Sequence, residues 1–161
     1  MFMANLIYLT MEGNKQGLIS RGCSSLDSIG NKSQAGKEDK IFILEFKNSI
    51  TRHQNINHLP VDFIKQIDKS SPLILSAISN NEILKLQFDF YRTSQEGRQD
   101  KYYSILIQGA QIINFSTRYP HSLTHNMSQP EELISVNYRD ITCTHHMAGT
   151  SGYSIRENNI F

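Results

Sequence analysis

The spacing of apolar and polar positions changes period once, sharply, in the middle of the chain, and that change defines two elements. Ser71 and Pro72 precede Ile74, Ala77 and Ile78, which recur at three- and four-residue spacing with Leu75 beside them, and Asn80 and Asn81 follow. Ser71 suits the position that accepts a hydrogen bond from the free amides of a first turn, and proline costs nothing at the first helical residue. Asparagine tolerates the left-handed conformation that ends helices. The pattern predicts a helix of about nine residues, roughly 13 Å long. Alone it is marginal in water, so it must pack on something else. From Ile83 the period becomes two: Leu84, Leu86, Phe88 and Phe90 point one way, and Lys85, Gln87 and Asp89 the other. This predicts a core strand with one buried and one wet face.

The same reading along the rest of the chain gives mostly strands. Residues 4–11 read as a first strand and 18–23 as a second, short one, with Gly13 and Gly17 in the turn between them. Residues 24–40 are Ser-, Gly-, Asn- and Lys-rich with only Leu26 and Ile29 to bury, and read as a long surface loop. In 41–46, Ile41 and Ile43 lie on one face and Phe42, Leu44 and Phe46 on the other, so both faces are apolar. Such a strand in a small β domain needs the helix or another chain on its second face. Residues 47–60 form a polar excursion, of a length usually reserved for function or binding. In 61–67, Val61, Phe63 and Lys65 alternate with Asp62, Ile64 and Gln66.

After the core strand, residues 93–100 make a charged hairpin loop around Gly97, and Gly109-Ala110 separates two further strands, 101–108 and 111–119. A loop carrying His121 and His125 runs to Pro130. In 132–144, Ile134, Val136 and Tyr138 are out of phase with Ile141 and Cys143, which one extra residue near Arg139-Asp140 would repair as a β-bulge. Residues 148–156 are small and receive no assigned structure. Strands at this spacing with one short helix imply a mainly β fold, an antiparallel barrel or sandwich with the helix on its side. Its open strand edges and two-faced apolar strand make specific self-association the physical expectation.

At 161 residues the chain is the size of one domain, taken as 1–161 with a flexible tail over 156–161. Sixteen basic and fifteen acidic residues give a net charge of +1, with no basic cluster, so nucleic acid is not an indicated partner. Cys23 and Cys143 form neither a zinc pattern nor a disulfide framework and read as reduced thiols. The apolar run at residues 6–9 is too short for a signal-peptide core, and no apolar stretch approaches the ~18 residues of a membrane span.

The chemistry-bearing residues suggest no reaction. His121 and His125, spaced as a metal pair would be on a helix, fall beside Pro120 in a loop, and with His145-His146 read as solvated. Gly30-Asn31-Lys32-Ser33 lacks the second glycine of a phosphate-binding loop and reads as a turn. Asp62, Asp68, Asp89 and Asp140 read as solvated or hydrogen-bonded carboxylates. Sequons at Asn31, Asn114 and Asn126 carry little weight if the source is bacterial. No catalytic, cofactor or metal site is predicted, and no enzyme activity. The alternative reading is a monomeric ligand- or carbohydrate-binding β-sandwich, but that class presents rows of exposed aromatics. Here there is no Trp, and only Tyr91 and Tyr102 are candidates. A small metal hydrolase rests on the histidines alone.

Ile67-Asp68-Lys69-Ser70-Ser71-Pro72, preceded by Gly22-Cys23-Ser24-Ser25-Leu26-Asp27-Ser28-Ile29-Gly30-Asn31-Lys32 and followed by Ala148-Gly149-Thr150-Ser151-Gly152-Tyr153-Ser154-Ile155, resembles the haemolysin-coregulated protein family. This is the tube protein of type VI secretion systems, and the chain looks most like its enterobacterial branch. The resemblance covers Met3 to Arg156, with Met1-Phe2 preceding the family start. It implies a β-barrel with a helix at its side, assembling into a hexameric ring. Stacked rings then form a hollow tube that a contracting sheath expels with effectors. Its partners would be its own copies, sheath, spike and effectors. Location would be the bacterial cytoplasm before firing and the outside or a target cell afterwards, without a signal peptide or membrane insertion. The family's long docking loop matches 48–59 by position, so Arg52, Gln54, Asn55, Asn57 and His58 become subunit-interface candidates. Because the sequence stops soon after Arg156, tube and carrier rather than toxin is the expected role.

Overall fold

The computed structural model describes residues 5–30 and 36–156. Met1-Phe2 and the start at Met3, the Asn31 sequon, the Gly30–Ser33 turn beyond its first residue, and the tail after Arg156 lie outside the described residues. The predicted strand at the N-terminus is β1 (Leu6–Gly13), with a two-residue partner β2 (Gly17–Leu18). The rest of the predicted second strand, through Cys23, is turn: Ile19 and Cys23 are buried individually, without a ladder. The surface loop that follows contains one helical turn, α1 (Leu26–Ile29), and Leu26 points to solvent.

β3 (Ile41–Lys47) pairs with both β1 and β6 (Val61–Gln66), and a register shift between Ile43 and Glu45 changes its phase midway. Ile41 and Ile43 enter the core from the first half, and Phe46 packs on Phe88 and Phe90 from the second. Leu44, beside the shift, stays 42 % exposed. The predicted helix is α2 (Ser71–Ser79), with Ile74 and Ala77 in the core and Leu75 turned to solvent. Asn81 ends it at φ +50. The cap differs from expectation. Ser71 Oγ caps nothing, whereas the Asp68 carboxylate accepts the Ser70 amide at 2.8 Å, placing a negative charge at the positive end of the helix.

β7 (Leu84–Thr93) and β8 (Gln99–Arg118) form the central hairpin, turning at Gly97. The outer face of β7 is not wet throughout: Asp89 is 1 % exposed, under Lys40, and Tyr91 lies beside it. β8 is one strand, not two. Its first half pairs with β7, then it bends at Gly109 and pairs with β9 (Glu131–Asn137). Gly109 has φ +64, and an added Cβ would meet Arg139 Cβ at 2.7 Å, so only glycine makes this corner. The phase change predicted as a bulge is a strand break facing the same corner: β9 ends at Asn137, β10 (Asp140–His145) starts anew along the first half of β8, and Arg139 N donates to Gln108 O. Residues expected to lack structure form β11 (Thr150–Ile155), which takes the edge of β10 that would otherwise go unpaired.

Because β8 pairs with β7 and also with β9, the circuit β8-β7-β1-β3-β6-β9 closes on itself as an antiparallel barrel. Leu9, Met11, Phe63, Phe88, Ile107 and Ile134 fill it. β10 and β11 continue outward from β8 as a flap. The excursion over 47–60 has structure of its own, an isolated two-stranded ribbon of β4 (Ile50–Arg52) and β5 (Ile56–His58).

Candidate functional site

Two kinds of feature stand out: a buried polar knot beneath the helix, and an arm with open borders. The knot follows from strand alternation. Val61, Phe63 and Lys65 share the inward face of β6, and Glu132, Ile134 and Val136 that of β9, so register brings Lys65 opposite Glu132 inside the protein. Lys65, 0 % exposed, donates from Nζ to Glu132 Oε1, to Gln66 O at 2.9 Å and to Ser71 Oγ at 3.3 Å, and lies 3.1 Å from Asp68 Oδ1. Ser71 Oγ in turn donates to Glu132 at 2.7 Å and accepts the Asp68 amide. A buried lysine of this kind persists only when surrounded by acceptors. Cys23 lies beside the knot, where burial first, and then the Asp68 charge, push its thiol up to about 12, leaving it protonated and inert. Lys69 N donates to Ser28 Oγ. This contact joins two of the three segments that carried the family resemblance.

The other polar candidates are likewise satisfied locally. His121 Nδ1 accepts the amides of Leu123 and Thr124, His125 Nδ1 pairs with Thr124 Oγ1, and His146 Nε2 with Ser104 Oγ. Asp62 accepts from Ser135, and Asp140 pairs with Arg139. Asp68, Asp89 and Asp140 are buried, not solvated. Among the described residues no group of three or more His, Cys, Asp and Glu is arranged to hold a metal. Both cysteines are free.

The arm is built by the β-forming Ile50, Thr51 and Ile56 on either side of a His53-Gln54-Asn55 turn. Ile50 faces His58, Thr51 faces Asn57 and Arg52 faces Ile56, and Leu59 N donates to Ser49 O at the base. Arg52 Nη1 donates to Gln54 O at 3.3 Å, holding the tip together. Arg52, Gln54, Asn55 and Asn57 are all exposed. His58 is not: it is 6 % exposed, and its Nε2 shares a 2.7 Å hydrogen bond with Ser154 Oγ of β11. Four of the five sequence candidates thus stand together on one projecting ribbon, and the fifth anchors its base. Among the described residues β4 and β5 pair only with each other and β11 only with β10, leaving backbone along both elements that no described strand pairs. Leu44, Ile113 and Leu133 add exposed apolar surface to the barrel wall, and Tyr153 and Ile155 add it to the flap. Nothing in the sequence revealed the anchor, because the contact joins residues far apart in the chain.

Comparison with known proteins points one way. Residues 8–145 match the family profile described as type VI secretion system effector, Hcp. The chain is 34 % identical over 167 residues to the major exported protein of Pseudomonas aeruginosa, covering 93 % of this chain and 94 % of that one. It is 40 % identical over 149 residues to the uncharacterized Escherichia coli K12 protein YhhZ, covering 92 % of this chain but only 37 % of YhhZ, so it spans little more than a third of that relative. Among solved structures, the secreted protein Hcp3 from Pseudomonas aeruginosa superposes with a TM-score of 0.86 at 35 % identity, over 96 % of this chain and 100 % of that one. A crystal structure of an Hcp protein superposes with a TM-score of 0.91 at 28 % identity, over 96 % and 100 % of the two chains.

Proposed function

The chain belongs to the Hcp family of type VI secretion proteins, and from that premise we propose that it is a subunit of the secretion system's inner tube, acting as one domain that closes into hexameric rings. Rings stack into a hollow tube, which the contracting sheath drives outward behind the spike, with effectors carried along. The role is structural, and the protein leaves the bacterial cytoplasm with the tube. Support comes first from the family match over nearly the whole barrel. It comes also from the shape of the subunit, which has a closed barrel, borders on β11 and on the arm that no other described strand pairs, and exposed Leu44 on the wall. No described helix is long and apolar enough to cross a membrane.

In this reading Arg52, Gln54, Asn55 and Asn57 contact the neighbouring subunit. Replacing all four by alanine removes polar contacts from a rim-like surface while leaving the barrel intact. Sedimentation velocity should show ring assembly weakened by at least about tenfold, or roughly 1.4 kcal/mol per contact set, with an unchanged melting temperature of the subunit. Rings of undiminished stability in that variant would remove the arm from the interface.

A further inference from the structure

The arm is a two-stranded ribbon, and such a ribbon is marginal by itself in water. Its strands pair with nothing else among the described residues, and its side chains face solvent except near the base. At that base the His58 imidazole enters a seat built from two distant segments. Nε2 is 2.7 Å from Ser154 Oγ on the flap, and the ring stands edge-on to Tyr138, with centroids 5.6 Å apart and planes at 83°. Tyr138 is 3 % exposed at the corner between β9 and β10 and belongs to the core cluster. The seat is therefore rigid on the barrel side, and the arm is the part that would move.

We propose that His58 is a positioning residue: wedged between Tyr138 and Ser154, it fixes the angle at which the β4–β5 arm leaves the barrel and so presents Arg52, Gln54, Asn55 and Asn57 to a second copy in one orientation. This rests on the arm being the contact between subunits. An arm free to swivel must be ordered at each docking event, and that ordering is subtracted from the binding free energy. With the latch closed, the ordering is done within the monomer.

The latch is also sensitive to charge. The groups around His58 are the Tyr138 ring, the Ser154 hydroxyl and the Arg156 guanidinium, and none is anionic at neutral pH. Burial, and then Arg156, hold His58 below its ordinary value, while burial pushes Tyr138 up and keeps it neutral. The seated ring is thus preferentially neutral. Above about 6.5, the value of a solvated histidine, the latch is fully favoured. As pH falls below that, the released arm takes up a proton more readily than the seated one, so the latch weakens until the seated ring itself is protonated.

The test uses the full chain and three single variants, His58→Ala, His58→Gln and Ser154→Ala, with assembly read by sedimentation equilibrium between pH 7.5 and 5.5 and subunit folding read by thermal unfolding. At pH 7.5, His58→Ala should assemble about tenfold more weakly and Ser154→Ala less severely so, while His58→Gln, which retains a donor toward Ser154, stays close to the parent. The parent should lose more assembly as pH falls than His58→Gln does. His53, His121, His125, His145 and His146 remain in both, so they cancel from that comparison. Coincident pH profiles for parent and His58→Gln, or unimpaired assembly of a folded His58→Ala, would overturn the proposal. Should His58→Ala fail to fold, the profile comparison and Ser154→Ala decide. If the four-alanine arm variant weakens assembly while the His58 variants do not, the latch is wrong and the arm reading stands; if none weakens it, both fall.

Discussion

Replacing Glu132 by alanine strands a charge in the interior, and its cost follows from the contacts around Lys65. Glu132 Oε1 accepts from Lys65 Nζ and from Ser71 Oγ, and both Lys65 and Glu132 are cut off from water. Without it the ammonium keeps Asp68 Oδ1 at 3.1 Å and the Gln66 carbonyl at 2.9 Å, so one counter-charge remains. Removing one partner of a buried ion pair costs about 3–5 kcal/mol, and the surviving Asp68 places this case near the lower end. About 3 kcal/mol is a large share of the roughly 5–15 kcal/mol that holds a domain folded. At about 2–4 °C per kcal/mol for a chain of this size, the melting temperature should fall by about 6–12 °C. Urea unfolding followed by circular dichroism, at a dilution where both proteins are monomeric, keeps assembly from masking the difference. Glu132→Gln, which still accepts from Lys65, should lose less. A loss below about 1 kcal/mol for Glu132→Ala would refute the reasoning, since it would mean that Lys65 reaches water without rearrangement of the core.

Two further perturbations act on the turn between β1 and β2. Glu82 reaches into that turn, its Oε2 accepting the amides of Lys15 at 3.1 Å and Gln16 at 2.9 Å and its Oε1 the Gln16 side chain at 3.0 Å. A Cβ on Gly13 would stand 1.8 Å from Glu82 Oε2, so Gly13→Ala must expel the carboxylate. Losing hydrogen bonds to a charged acceptor should cost about 2–3 kcal/mol, measurable by thermal unfolding. Burial alone would push the Glu82 carboxyl up, but the Gln16 and Lys15 amides outweigh it and hold the group below its ordinary value. Its contribution is therefore complete above about pH 4.5 and lost as pH falls through the lowered value. Glu82→Gln should unfold with less acid sensitivity than the parent in that window, seen in melting temperatures from pH 5 to 3, and parallel curves would contradict this.

What the residues told in advance was whatever local period and turn chemistry control. The α2 boundaries followed from Pro72 and Asn80-Asn81, and the β7 core face from strict alternation. The buried lysine was not anticipated, although Lys65 is in phase with Val61 and Phe63 and Glu132 with Ile134 and Val136. Features set by distant partners were not. β11 is a strand because β10 offers a free edge, and its own Ser- and Gly-rich sequence gives no sign of it. β8 passes through Gly109 unbroken because β7 and β9 pair with it on either side of the bend. Asp89 is buried because Lys40 folds over it from the end of a stretch whose composition marks a surface loop. The arm illustrates both halves. Its polarity marked Arg52, Gln54, Asn55 and Asn57 as surface residues, whereas the burial of His58 depends on Ser154, far along the chain.

Electron microscopy of the purified protein puts self-assembly through the arm and the free borders to its most direct trial. Annular particles with six-fold symmetry that string into tubes at high concentration are the expected result. A field of separate subunits under the same conditions, with the β4–β5 ribbon free in solution, would contradict it.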